Sequence, residues 1–97
     1  MSGKPLGLQT LVQASREQVF CDLDGEAVIL HLKAGMYYGM DAVGTRIWKL
    51  IQESCLVQKI VDVMLEEYEV EPKRCQKDIF AVLERLKKEG LIVVLSS

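Results

Sequence analysis

The chain is short of the side chains that carry out chemistry. Among its 97 residues there is one histidine, His31, and three cysteines, Cys21, Cys55 and Cys75. No two cysteines stand at CxxC spacing, and no group of Cys, His and carboxylates has the spacing of a metal site. An odd number of cysteines without that spacing argues against a disulfide framework and for reduced thiols in a cytoplasm. Each cysteine is expected in apolar surroundings and reads as a small hydrophobe rather than a nucleophile. His31 falls near the end of an apolar strand and reads as a structural or surface residue rather than a ligand or base. Gly35 and Gly39 have neither GxGxxG nor Walker spacing, which excludes a phosphate loop. No apolar run approaches the roughly 20 residues needed to span a bilayer. No basic segment followed by an apolar one opens the chain, so no signal peptide is expected. A charge of one sign is missing too: the formal net charge of −2 gives no general attraction to nucleic acid or to acidic lipid. There is no internal repeat and no low-complexity tract. With no catalytic constellation, the expectation is a small binding module that is not an enzyme and takes no metal and no cofactor.

What is present is apolar. Almost half of the residues are hydrophobic, enough for one domain with one modest core. The densest stretch is Asp24 to Trp48, DGEAVILHLKAGMYYGMDAVGTRIW. Glu26–Leu32 reads as a strand, Lys33-Ala34-Gly35 as a turn in which Gly35 takes positive φ, and Met36–Met40 as a second strand. Asp41 is placed to cap a helix that begins at Ala42. Before this stretch, Val19–Leu23 alternates, with Val19, Cys21 and Leu23 on one side and Phe20 and Asp22 on the other. That is a half-buried strand, joined to the next by an Asp24-Gly25 two-residue turn. Three strands with short links make an antiparallel meander. Gln9–Ala14 carries a weaker strand signal, Ser15 to Gln18 is a polar turn, and Met1–Leu8, with Gly3, Pro5 and Gly7, is a loose lead-in.

Three helices follow. The first, about Ala42–Gln52, puts Val43, Ile47, Leu50 and Ile51 on one face with Trp48 beside them. Gly44 inside it costs about 1 kcal/mol against Ala, and close approach to the sheet is the expected benefit. The second, about Leu56–Glu67, has an inward stripe of Val57, Ile60, Val61, Met64, Leu65 and Tyr68, and an acidic outer face and exit (Asp62, Glu66, Glu67, Glu69). The third starts near Pro72, which suits a first helical position, and ends before Gly90, a good C′ glycine. Leu91–Leu95 is a short strand or an extended tail. At about 100° per residue, Val82, Cys75, Leu86, Ile79, Leu83 and Phe80 span roughly 160° of the third helix. A helix lying on one core needs roughly 100°. Either this helix touches a second surface, or Leu91–Leu95 folds back over the excess.

Two binding modes follow from this order of elements. Strands, helices and a final strand suit a winged-helix DNA-binding regulator with Pro72–Glu89 as its recognition helix. That segment has Lys73, Arg74, Lys77, Arg85, Lys87 and Lys88 against Glu71, Asp78, Glu84 and Glu89, a net of only +2. Phosphate contacts dominate DNA affinity, so a solvated helix face is the better reading and no nucleic acid partner is expected. The second mode uses Met36–Met40. If that strand ends the sheet, its free N–H and C=O groups can pair with an extended peptide. Tyr37, Tyr38, Met36 and Met40 would then supply adaptable contact area. On pattern alone, these residues can equally well pack the core.

The run GEAVILHLKAGMYYGMDAVGTRIWKLI, with IVDVMLEEYEVEP and LERLKKEGLI after it, resembles the PqqD-like family, the RiPP recognition elements that bind leader peptides of ribosomally made, modified peptides. The resemblance covers about residues 19–95 and is densest in YYGMDAVGTRIW. It implies an α+β, winged-helix-like fold, a three-stranded antiparallel sheet followed by three helices, with 1–18 as lead-in and 19–97 as the leader-recognition domain. It also implies that a leader adds as a strand to the third strand, in a cleft walled by the third helix. Carried over, the edge falls on Met36, Tyr37, Tyr38, Gly39 and Met40. The wall falls on Cys75, Ile79, Val82, Leu83 and Leu86, with Lys77 and Asp78 at its polar margin. One departure is that relatives often open the second helix with a Thr-x-x-Glu capping box, where this chain has Leu56 and Lys59. A free-standing chain of this length is most similar to the leader-binding proteins of lasso-peptide pathways. Its expected partners are then a precursor leader peptide, a leader peptidase of cysteine-protease type and an ATP-dependent macrolactam cyclase, in the cytoplasm and away from membranes. The alternative is presentation of a precursor to a radical-SAM enzyme, as in the making of pyrroloquinoline quinone. The same free edge could also pair with a second copy to give a homodimer.

Overall fold

The structure, a computed structural model, describes residues 6–16, 18–24 and 26–96. Gly25 of the first turn, Glu17 of the polar turn, the segment 1–5 and Ser97 lie outside the described residues. In chain order the elements are β1 (Leu11–Ala14), β2 (Gln18–Leu23), β3 (Glu26–His31), β4 (Met36–Gly39), α1 (Ala42–Leu50), β5 (Cys55–Leu56), α2 (Val57–Glu67), α3 (Pro72–Lys88) and β6 (Ile92–Ser96). The fold is α+β, with the expected meander followed by three helices. A second three-stranded sheet accompanies them.

The meander β2-β3-β4 is antiparallel, with Phe20 opposite Ile29 and Ile29 opposite Tyr38. Asp24 sits at φ 54° and Gly35 at φ +66°, the left-handed conformations that their tight turns need. The inner face of the sheet carries Ala27, Ile29, Tyr38 and Met40, all buried, with Phe20 packed against them. The more apolar side of β2 is the one that faces away from the core. Val19 and Leu23 are 53% and 61% exposed, and Cys21 is exposed as well. The two sides of β2 were distinguished by alternation, but only one of them can face the helices. Phe20 has an aromatic neighbour there, Trp48, and Asp22 on the same side pairs with Lys49 of α1 at 2.6 Å.

The second sheet has the order β5-β1-β6, all antiparallel. Leu11–Ala14, part of the expected lead-in, is therefore its middle strand, and Val12 and Ala14 belong to the core. The Leu91–Leu95 segment does fold back, since Ala14 pairs with Ile92 and Val12 with Val94. The backbone just before β1 takes up the start of α2, where the capping box is missing. The N-cap of α2, Leu56, makes no side-chain cap bond. Instead the Val57 N–H donates to the Thr10 carbonyl at 3.0 Å and the Gln58 N–H to the Leu8 carbonyl at 2.9 Å. Backbone from the start of the chain thus satisfies two first-turn donors, and the start of α2 is held without a side-chain cap.

The other helix ends follow their sequence signals. The Asp41 carboxylate accepts from the Gly44 N–H at 2.8 Å. A Cβ on Gly44 would lie 3.1 Å from the Met40 sulfur and 3.3 Å from the Asp41 carboxylate, so glycine lets the chain turn tightly from β4 into α1. Pro72 opens α3. Gly90, at φ +74°, closes it with two bonds: its own N–H to the Lys87 carbonyl at 3.1 Å, and the Leu91 N–H to the Leu86 carbonyl at 2.9 Å. That is a Schellman motif, and its apolar partners Leu86 and Leu91 are both buried. The core lies between the two sheets and the helices, around Ile29, Ile47, Trp48, Ile51, Ile60, Ile79 and Leu83.

Candidate functional site

β4 ends its sheet. At its C-terminal end the Met40 N–H donates to the Ala27 carbonyl at 2.8 Å. Antiparallel ladder bonds alternate along a strand, so Met36, Tyr38 and Met40 turn their backbone groups inward to β3. Tyr37 and Gly39 turn theirs outward. Each has its N–H and C=O on the free side, giving two donors and two acceptors in register for an added strand. From Tyr37 to Met40 the side chains alternate between solvent and core. Met36 and Tyr37 are 52% and 72% exposed, Gly39 is exposed with no atom near its missing Cβ, and Tyr38 and Met40 are buried at 8% and 7%.

Across from this strand stands α3. Of the residues expected on the wall, Cys75, Ile79, Leu83 and Leu86 are buried in the core, Val82 is half-buried, and Lys77 and Asp78 are exposed. Four of these seven side chains thus hold the fold together, and Val82 marks where the core face ends. At about 100° per residue, Asp78, Val82, Arg85 and Glu89 share a stripe about 60° wide, while Lys77 lies about 100° round from Asp78. Glu89, at the end of this stripe, reaches β4. The Tyr38 hydroxyl donates to the Glu89 carboxylate Oε2 at 2.8 Å. That bond, then burial and the Glu89 charge, push the Tyr38 phenol above its ordinary pKa, and the Arg85 charge opposes them. Glu89 and Arg85 were not legible as site residues, because both read as ordinary polar positions in the last turn of a helix. The i, i+3, i+7 spacing from Val82 was the signal that could have marked them. Burial, with Asp78 nearby, raises the Cys75 thiol, and burial raises Cys55 against the pull of Lys59, so neither is set up as a nucleophile. His31 is half-buried at the end of β3, with its Nε2 facing Gly90.

Among the described residues, no three His, Cys, Asp or Glu side chains are grouped to hold a metal ion. No helix there is long and apolar enough to cross a membrane. The arrangement offers a short unpaired strand edge, exposed aromatic and thioether groups flanking it, and a helix that presents a mixed apolar and charged stripe.

Comparison with known proteins bears on this arrangement. No curated protein matches the chain. The structure of TbiB1 in complex with the TbiA(beta) leader peptide is similar at 38% identity and a TM-score of 0.78, over 82% of this chain and 93% of that one. A lasso peptide synthetase B1 complexed with the leader peptide shares the fold at 22% identity and a TM-score of 0.75, over 84% of this chain and 96% of that one. The family described as coenzyme PQQ synthesis protein D (PqqD) matches residues 26–92, a span that runs from the start of β3 to the start of β6. The chain belongs to the PqqD family.

Proposed function

We propose that this chain binds the leader peptide of a ribosomally made precursor as a strand added to β4, and that it does so in lasso-peptide biosynthesis. The observation that carries the reading is the free edge of β4, with the Tyr37 and Gly39 backbone groups turned outward opposite α3. The similarity to TbiB1, whose structure holds a leader peptide, supports the class of ligand. Four backbone hydrogen bonds at about 0.5–1.5 kcal/mol each give about 2–6 kcal/mol net. A leader held at nM to μM affinity needs about −12 to −8 kcal/mol, and ordering the peptide opposes binding. Side chains must supply the difference: Met36 and Tyr37 beside the edge, and Val82 with Asp78 and Arg85 on the helix.

In this reading the chain acts by binding alone and hands the leader to separate enzymes, a leader peptidase of cysteine-protease type and a macrolactam cyclase. The lack of a nucleophile–base pair or metal group in the sequence supports an adaptor over an enzyme. The test is titration of the isotopically labelled chain with synthetic TbiA(beta) leader peptide, followed by amide NMR. The expected result is saturable binding with the largest shifts at Tyr37, Gly39 and the Val82–Glu89 part of α3. Absence of binding, or shifts confined to β2 or to the second sheet, would overturn it.

A further inference from the structure

The two sides of the proposed cleft, β4 and α3, scarcely approach each other through their backbones. Side chains set their separation, and the Tyr38–Glu89 hydrogen bond spans it at 2.8 Å. Tyr38 comes from the inner face of the edge strand, between the two residues whose backbone groups turn outward. Glu89 is the C-cap of α3, in the Schellman motif built by Gly90 and Leu91. That motif is itself held. The Ser15 N–H donates to the Leu91 carbonyl at 2.9 Å, and a Cβ on Gly90 would stand 3.4 Å from His31 Nε2. Glu89 is therefore a fixed point, and Tyr38 is tied to it.

The residue type is unexpected on local grounds. The C-terminal end of a helix carries partial negative charge and favours cations. The last turn of α3 follows that rule with Arg85, Lys87 and Lys88, and Glu89 directly after them breaks it. A carboxylate that opposes the helix dipole, yet accepts a hydrogen bond from a tyrosine 51 positions away, has its reason in tertiary contact rather than in helix stability.

Building on the proposed function, we infer that Glu89 is a positioning residue for peptide binding. Through Tyr38 it fixes the distance between the free edge of β4 and α3, and so the width of the slot that an added strand must fit. It touches the ligand only through the strand it holds. With the bond intact, Tyr37 and Gly39 present their backbone groups at a set spacing from Val82. Without it, β4 and the end of α3 move independently, and the peptide must restore the spacing as it binds.

Four variants test this: Glu89→Ala, Glu89→Gln, which keeps an acceptor for the tyrosine, Tyr38→Phe, which keeps the ring, and the double variant Tyr38→Phe/Glu89→Ala. Binding of fluorescent TbiA(beta) leader peptide is read by anisotropy, and amide hydrogen exchange is followed in the free proteins. Glu89→Ala and Tyr38→Phe should each weaken binding about fivefold to tenfold, the loss of one hydrogen bond. Glu89→Gln should bind within about twofold of wild type, and the double variant should bind no worse than either single, because both remove the same interaction. In the free protein, Glu89→Ala should speed exchange in β4 and the last turn of α3, leaving the second sheet unchanged. Wild-type affinity in both single variants, losses that add in the double variant, or unchanged exchange in β4 would overturn the inference. Failure of the wild-type chain itself to bind the peptide would instead overturn the proposed function, and the exchange comparison would still decide whether the tie holds the two walls.

Discussion

The ring of Phe20 stands edge-on to the indole of Trp48, with centroids 6.4 Å apart and planes at 75°. This contact orients the whole meander, because the face of β2 that carries Phe20 is the face that meets α1. A T-shaped pair contributes about 0.5–1.5 kcal/mol beyond burial. Phe20 is only half-buried, so its truncation falls below the full range for a core phenylalanine. Phe20→Ala should cost about 2–3 kcal/mol. Val19→Ser and Leu23→Ser, on the outward side, should stay within about 0.5 kcal/mol. Urea midpoints of the three variants check this, and a larger loss at Val19 or Leu23 than at Phe20 would reverse the assigned faces.

Much of this architecture could be read locally. Gly35 and Gly90 mark real positive-φ turns, Asp41 and Pro72 mark real helix starts, and the stripes of α1, α2 and α3 face the core as their spacing implies. These signals sit within one or two turns of the structure they specify. The second sheet could not be read in the same way. β5 is two residues long, and β6 pairs with a strand from the other end of the chain, so neither has a local pattern that names its partner. The face of β2 was ambiguous for a related reason: Phe20 meets a tryptophan that lies on a later helix. For the candidate site, the strand was legible from its turn, but its place at the edge of the sheet came only from the family resemblance. The Tyr38–Glu89 bond joins residues 51 positions apart and was not.

The buried contact between α1 and β3 gives a sharper stability test. The Thr45 hydroxyl oxygen accepts from the Ala27 N–H at 2.7 Å, and both residues are buried. Thr45→Val keeps the shape but leaves that N–H without its acceptor. The expected cost is about 1–3 kcal/mol, a fall in Tm of roughly 4–8 °C per kcal/mol for a chain of this size. Thr45→Ser keeps the acceptor and should recover most of the loss. Calorimetric unfolding decides the matter; an equally unstable serine variant would mean that the methyl group, and not the hydrogen bond, holds α1 to β3.

The acid limb of stability should carry a contribution from α1 and α2. The Arg46 guanidinium holds both oxygens of Glu67, at 2.8 and 2.7 Å, and this hydrogen bonding holds the Glu67 carboxyl below its ordinary value of 4.5. A carboxylate whose folded pKa is depressed stabilises the fold above its unfolded pKa, and that contribution disappears as pH falls through the folded value. The difference in stability between wild type and Glu67→Gln should therefore be constant near neutrality and shrink to nothing in acid. It should also shrink in 1 M salt, because both side chains are about a third exposed. Denaturant titrations from pH 7 downward measure it, and a gap that widens in acid would contradict the assignment.

The free edge of β4 can be tested through the backbone itself. Proline has no N–H, so its effect depends on which way the replaced donor points. At Tyr37 the donor turns away from β3, and Tyr37→Pro removes one group from the free edge without breaking a ladder bond. At Tyr38 the donor turns toward β3, and Tyr38→Pro breaks the sheet. Tyr37 also carries an exposed ring, so Tyr37→Ala is the reference that isolates the N–H from the side chain. Tyr37→Pro should bind TbiA(beta) leader peptide about two- to tenfold more weakly than Tyr37→Ala, the range for one hydrogen bond. It should unfold within about 1 kcal/mol of that reference, whereas Tyr38→Pro should lose about 1–3 kcal/mol for the unsatisfied ladder carbonyl alone. Anisotropy titration and chemical denaturation on the same three proteins separate the two effects. Equal affinity in Tyr37→Pro and Tyr37→Ala would mean that the peptide does not pair with this edge, whatever its side chains contribute. A large stability loss at Tyr37→Pro would mean that the alternation of β4 runs the other way, with Tyr37 bonded to β3 and Tyr38 offered to the added strand.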